Sequence, residues 1–141
     1  MSFGWSAGDI AAALTLLYNI IEALDDSAGS PADYREAVAF LRTLKRTLEP
    51  LETLSAFSVY PLHGLDITEE VAYIKVPVEE FLAKVVKYEP SFAAKAAKGR
   101  HRHIFRKVQW YVFMRKEVAV LRTKIGSHIG VLDVLLQRFI L

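Results

Sequence analysis

The sequence predicts an all-α protein, a single domain over residues 1–141 built as a four- to five-helix bundle. Three observations carry this. Apolar residues recur at steps of three and four along four long segments. The two-residue alternation that even one β-hairpin needs is absent. The Pro, Gly, Ser and Asp residues that punctuate a chain gather largely between those segments. At 52% hydrophobic and 24% charged residues, the chain has the composition of a compact globule and not of a disordered tract.

The first helix is expected from Ser6 or Asp9 to about Leu24, with Ile10, Leu14, Leu17, Ile21 and Leu24 on one face. Asp9 suits the positive end of the helix dipole. Nothing between Asp9 and Glu22 is charged. A helix apolar nearly all round is either buried or inserted into something. Asp25 to Gly29 breaks the chain, and Ser30-Pro31 restarts it as an N-cap followed by proline at the first helical position. The second helix sets Tyr34, Val38, Leu41, Leu44, Leu48, Leu51 and Leu54 on one side, against Arg35, Arg42, Lys45, Arg46 and Glu49 on the other. Pro50 is expected to kink it or end it early.

Residues 55–65 read as a loop, after which Asp66 caps a third helix. Its seam is Ile67, Val71, Ile74, Val78, Phe81, Val85 and Tyr88, with a kink expected near Tyr73 to Lys75 from Pro77 and an end at Glu89-Pro90. Residues 91–102 are small and basic, a short helical turn and then a loop around Gly99. A fourth helix follows from about His103 to Lys124, with Ile104, Val108, Tyr111, Val112, Val118, Leu121 and Ile125 inward. Gly126 and Gly130, spaced as a GxxxG, loosen the chain and are expected to mark a helix break or close packing, with a last apolar helix from Ile129 to Leu141. The first and fourth helices are expected at the centre. Ending in Phe139-Ile140-Leu141, the chain reads as the N-terminal part of a longer protein.

The net charge of +2 hides a division. Residues 1–94 hold 7 basic and 14 acidic side chains, whereas residues 95–124 hold 10 basic ones against Glu117 alone. Such asymmetry concerns partners and packing, not fold. The chain has no cysteine, which excludes disulfides, thiolate catalysis and cysteine zinc sites. No secretory signal is visible and no stretch reaches 18 uninterrupted apolar residues, so the expected location is cytoplasmic, with recruitment to a membrane as a further step.

The opening MSFGWSAGDIAAAL, followed by DDSAGSPADYREAVAFLRTL, resembles the N-terminal helical domain of fungal STAND and ankyrin-type proteins. The resemblance extends through Ile74-Lys75-Val76-Pro77 and Lys107-Val108-Gln109-Trp110, and so over essentially the whole chain. Some neighbours of that group are HeLo-like domains, four-helix bundles linked to programmed cell death at membranes. The resemblance implies a non-enzymatic signalling or protein-protein interaction module of an NLR-like protein, upstream of a nucleotide-binding, repeat or ubiquitin-like region.

Two candidate sites follow. In the first, Ile10, Leu14, Leu17 and Ile21 mark a helix for insertion or self-association. Gly4/Gly8 and Ala7/Ala11 give it small-xxx-small spacing. Against insertion, the 12 residues from Ile10 to Ile21 make about 18 Å of helix, short of a ~30 Å hydrocarbon core; as the alternative, this is simply a core helix. In the second, Arg100, Arg102, Arg106 and Lys107 dock an anionic lipid surface or an acidic partner, each cation worth about 1 kcal/mol at a membrane. The same segment also admits nucleic acid, with Trp110, Tyr111 and Phe113 for stacking, or a solvated face that complements the acidic helices. The three aromatics cannot all share one helix face, so at least one is expected in the core.

No catalytic residue, metal ligand or cofactor site is expected. His101 and His103 have no carboxylate in their stretch to complete a metal site, and His63 and His128 are isolated. Glu69-Glu70 and Glu79-Glu80 are adjacent on a helix and point about 100° apart. Neither a phosphate-binding glycine loop nor a G-x-S-x-G nucleophile is present. The expected partners are protein, either a second copy or downstream domains of the same protein, and an anionic membrane. A passive scaffold that packs on its own downstream region is the alternative.

Overall fold

In a computed structural model, residues 5–25, 32–57, 64–89 and 107–140 are described. They form four helices: α1 (Ala7–Asp25), α2 (Ala32–Phe57), α3 (Gly64–Tyr88) and α4 (Lys107–Ile140). The all-α bundle is as the sequence predicts.

Ser6, not Asp9, caps α1. Its hydroxyl accepts the Asp9 backbone N–H at 3.0 Å, and its carbonyl accepts the Ile10 N–H at 2.9 Å. The first of these pairs one of the donors that a helix cannot satisfy internally, and the second is the helix's own first i→i−4 bond. Asp9 then sits in the first turn, where a carboxylate favours the dipole.

Pro50 lies inside α2, which runs on for seven more residues to Phe57. The proline removes the donor that the Arg46 carbonyl would otherwise have, at a cost of about 3 kcal/mol. Leu48 and Leu51 on either side are fully buried, and each buried leucine returns about 1.5–3 kcal/mol. Helix therefore wins, and the expected early end does not occur. Pro77 is likewise accommodated within α3, which starts at Gly64 and leaves Asp66 in its first turn instead of at its cap.

The expected break at Gly126 and Gly130 is also absent. α4 is one continuous helix of 34 residues, so the separate last helix merges into it. Two interior glycines cost about 1 kcal/mol each. Beyond them Ile129, Leu132 and Leu136 extend the buried stripe of Met114, Val118, Leu121 and Ile125 at steps of three and four. Three large buried side chains outweigh two glycines. Val112, expected inward, is 51% exposed; Met114 takes the core position. Ile104 lies outside the described residues, as do the side chains of Tyr34 and Val108.

Two helical hairpins make the bundle. α1 packs along α2, and α3 packs along α4. In the second hairpin Glu70 faces His128, Glu80 faces Lys124, Lys84 faces Glu117 and Tyr88 faces Phe113, so α3 and α4 are antiparallel. The hairpins join mainly through α2 and α4. There Phe40 meets Arg122 and Thr47 meets Asp133, so these two helices run parallel. α1 touches α3 lightly and has no substantial contact with α4. The central pair is thus α2 and α4, which corrects the expectation of the first and fourth helices. One apolar core runs through all four elements, and Trp5, ahead of α1, is buried in it.

Candidate functional site

Of the expected docking cations, Arg100, Arg102 and Arg106 lie outside the described residues. Lys107 is the first residue of α4, with its side chain also outside them. What the structure does describe is the frame that holds the two ends of this basic tract. α3 ends at Tyr88 and α4 begins at Lys107, and the antiparallel pairing puts both ends at one pole of the bundle.

An aromatic cluster occupies that pole. The Tyr88 ring stacks on Phe113 with centroids 4.2 Å apart and lies 5.8 Å from Trp110, while Trp110 and Phe113 are 6.1 Å apart. Trp110, Tyr111 and Phe113 are all half-buried against the core. None is a free stacking platform, whereas Tyr88 is 40% exposed. The sequence reading placed Tyr88 on the α3 seam and missed its place in this cluster. The signal was available in its position at the end of α3, opposite the start of α4.

Further along α4, the basic side chains are partly committed to α3. Lys124 pairs with Glu80 at 3.7 Å, and Lys84 of α3 returns the exchange to Glu117 at 3.4 Å. His128 Nδ1 lies 2.7 Å from a Glu70 carboxylate oxygen, and its ring stacks on Tyr73 at 4.4 Å with planes 10° apart. His128 is therefore not isolated. Here the charge division works within the fold, joining an acidic helix to a basic one. His63, His101 and His103 lie outside the described residues. Among the described residues, no group of three His, Asp or Glu side chains is placed to hold a metal ion. Glu79 and Glu80 both face solvent, whereas Glu70 turns to His128 and Glu69 turns outward.

The residues of the candidate insertion helix lie mostly inward. Ile10, Leu17 and Ile21 are buried, and Leu14 is half-buried against the core. The Ala7–Leu24 stretch is long and apolar enough to cross a membrane, and 33% of it is buried inside the bundle. Beyond Asp9 in the first turn, its outer side carries Ala12, Thr15 and Tyr18, without a charge until Glu22.

An open groove of about 540 Å³ lies between α2 and α4. Glu36, Ala39, Phe40 and Thr43 line one wall; Arg122, Gly126, Ile129, Gly130 and Asp133 line the other. The Arg122 guanidinium sits 5.7 Å from the Phe40 ring centroid, within cation–π range.

No protein-family model matches the chain, and no curated protein or solved structure matches it significantly.

Proposed function

We propose that this chain is a non-enzymatic signalling and interaction module whose working pole is the end of the α3–α4 hairpin, where it docks to an anionic membrane surface. One observation carries this reading: the Tyr88, Trp110 and Phe113 cluster stands at the pole where α3 ends and α4 begins, the two helix ends that the sequence joins through a segment rich in Lys and Arg. Aromatic rings with an apolar body and a polar tip favour the headgroup level. Clustered Lys and Arg favour an anionic leaflet by about 1 kcal/mol each. A surface that offers both signals binds an anionic membrane more firmly than either does alone. The resemblance to fungal STAND N-terminal domains and their HeLo-like neighbours gives such a module its setting, the regulated response of an NLR-like protein, including cell death.

The candidate helix α1 enters this reading as a reserve and not as the docking surface. Its apolar face is committed to the core at rest, and its partner is chiefly α2. Insertion requires that contact to open first. The same burial favours a second reading, a scaffold that packs on its own protein's other domains and needs no membrane.

Co-sedimentation of the whole chain with anionic and neutral liposomes separates them. Binding to anionic vesicles alone, lost when Arg100, Arg102, Arg106 and Lys107 are changed to Glu, supports docking and justifies a leakage assay. Failure to sediment with either lipid removes the membrane reading and leaves the scaffold.

A further inference from the structure

The α2–α4 groove raises a question that the monomer does not answer. Glycine inside a helix disfavours it relative to nearly every other residue, and α4 keeps two, one turn apart. Intramolecular crowding does not require them. A Cβ built on Gly130 meets nothing within 4 Å, and one on Gly126 meets only Arg122 Cγ of its own helix at 3.8 Å, an ordinary contact. The face around them is also unusual for a solvated helix. Ala119, Thr123, Ser127, Gly130 and Val134 are all exposed, and none is charged.

We infer that this groove is the site at which a second copy of the chain docks, α4 against α4, antiparallel about a two-fold axis. Charge order selects this occupant. Along the groove Arg122 stands near one end and Asp133 at the other, eleven residues and ~16 Å apart, with Gly126 and Gly130 between them. A helix that fits must be smooth at its centre, acidic opposite Arg122 and basic opposite Asp133. An inverted copy of α4 meets all three conditions. With Gly126 of one copy against Gly130 of the other, Arg122 falls opposite the turn that carries Asp133, and the pairing occurs twice by symmetry. Such an isologous contact closes on itself, and complementary charges fix its direction. The glycines let the two axes come closer than side chains normally permit. One helix pair buries less than the ~800 Å² per partner of a standard interface, so the α2 wall at Glu36 and Phe40 takes part. This inference does not rest on the membrane reading.

Sedimentation velocity of the whole chain, from low to several hundred micromolar, tests it. The expected result is a concentration-dependent rise from the 15.9 kDa monomer to twice that mass. Gly130→Leu should weaken the dimer about tenfold or more. Because the space at Gly130 is open in the monomer, the same variant should melt no lower than the parent. Arg122→Asp and Asp133→Arg should each sediment as monomers, and an equimolar mixture should restore a dimer, since each then supplies what the other lacks. A monomer at every concentration overturns the inference and leaves the groove to a different helix. A dimer that Gly130→Leu leaves intact places the interface elsewhere and also overturns it. Folded charge variants that fail to recover on mixing overturn the antiparallel pairing.

Discussion

Thr47 of α2 donates its hydroxyl proton to Asp133 Oδ1 of α4 across 2.7 Å. Thr47 is only 2% exposed, the one fully buried polar side chain among the described residues. Its oxygen also lies 3.0 Å from the Thr43 carbonyl one turn back. A hydroxyl has one proton, and a carboxylate oxygen is the stronger acceptor. The proton therefore points across the interface and not along its own helix. The bond ties the two central helices and fixes their register within an otherwise apolar contact.

Replacing Thr47 with Val keeps the shape and removes the donor, leaving a half-buried carboxylate short of a partner. The expected loss is about 1.5–3 kcal/mol, the range for a hydrogen bond to a charged group. Asp133→Asn keeps an acceptor and should cost less. Urea unfolding of both variants checks this order; equal, near-zero losses would show that the register is set by packing alone.

Trp5 precedes the first helix and is nonetheless 1% exposed. The capped turn at Ser6 brings it onto the core, so Trp5 belongs to the folded unit although it lies ahead of α1. Trp5→Ala is expected to lose about 3–5 kcal/mol, the range for removing a large aromatic from a core, and Trp5→Phe a smaller part of that. A guanidinium midpoint for Trp5→Ala that matches the parent would place the tryptophan outside the cooperative structure.

The contrast between Trp5 and the helices shows what the sequence makes legible. The faces of α1, α2 and α3 could be read because apolar spacing records burial directly: Ile10, Leu17, Leu41, Leu44, Ile67 and Val78 are all core. Trp5 has no period to announce it. Pro50, Gly126 and Gly130 misled because local propensity was weighed without the buried leucines and isoleucines beyond them, and tertiary burial overrides a local cost of 1–3 kcal/mol. The pairing of α2 with α4 was not legible either, since periodicity assigns a face to each helix but not the neighbour it meets. Of the candidate site, only the charge division was in the sequence. That Glu70, Glu80 and Glu117 answer His128, Lys124 and Lys84 depends on the antiparallel register of α3 and α4.

At Gly126 and Gly130 the isolated monomer has room for a methyl group. Gly126→Ala and Gly130→Ala should each stabilise the chain by about 1 kcal/mol and raise its melting temperature by roughly 3 °C. Thermal unfolding at concentrations where the chain is monomeric reads this directly. A lowered midpoint would mean that α4 needs its glycines for a bend and not for approach.

Tyr18 stands on the outer side of α1, and its phenol is held above the ordinary value of 10.0, first by a hydrogen bond to Glu22 and then by the charge of that carboxylate, with Lys45 opposing weakly. Folding thus favours the protonated phenol. The sign follows: the contribution is fully present below the phenol's ordinary value near 10 and is lost as pH rises through the higher folded value. Glu22→Gln removes the carboxylate charge and should let Tyr18 ionise earlier, while the other tyrosines are unmoved. Carbon-detected NMR of labelled tyrosines, with Tyr18→Phe for assignment, follows that one ring. An unchanged titration in Glu22→Gln would show that the raised value comes from the little burial available on this face, and that the turn from Tyr18 to Glu22 carries no electrostatic link.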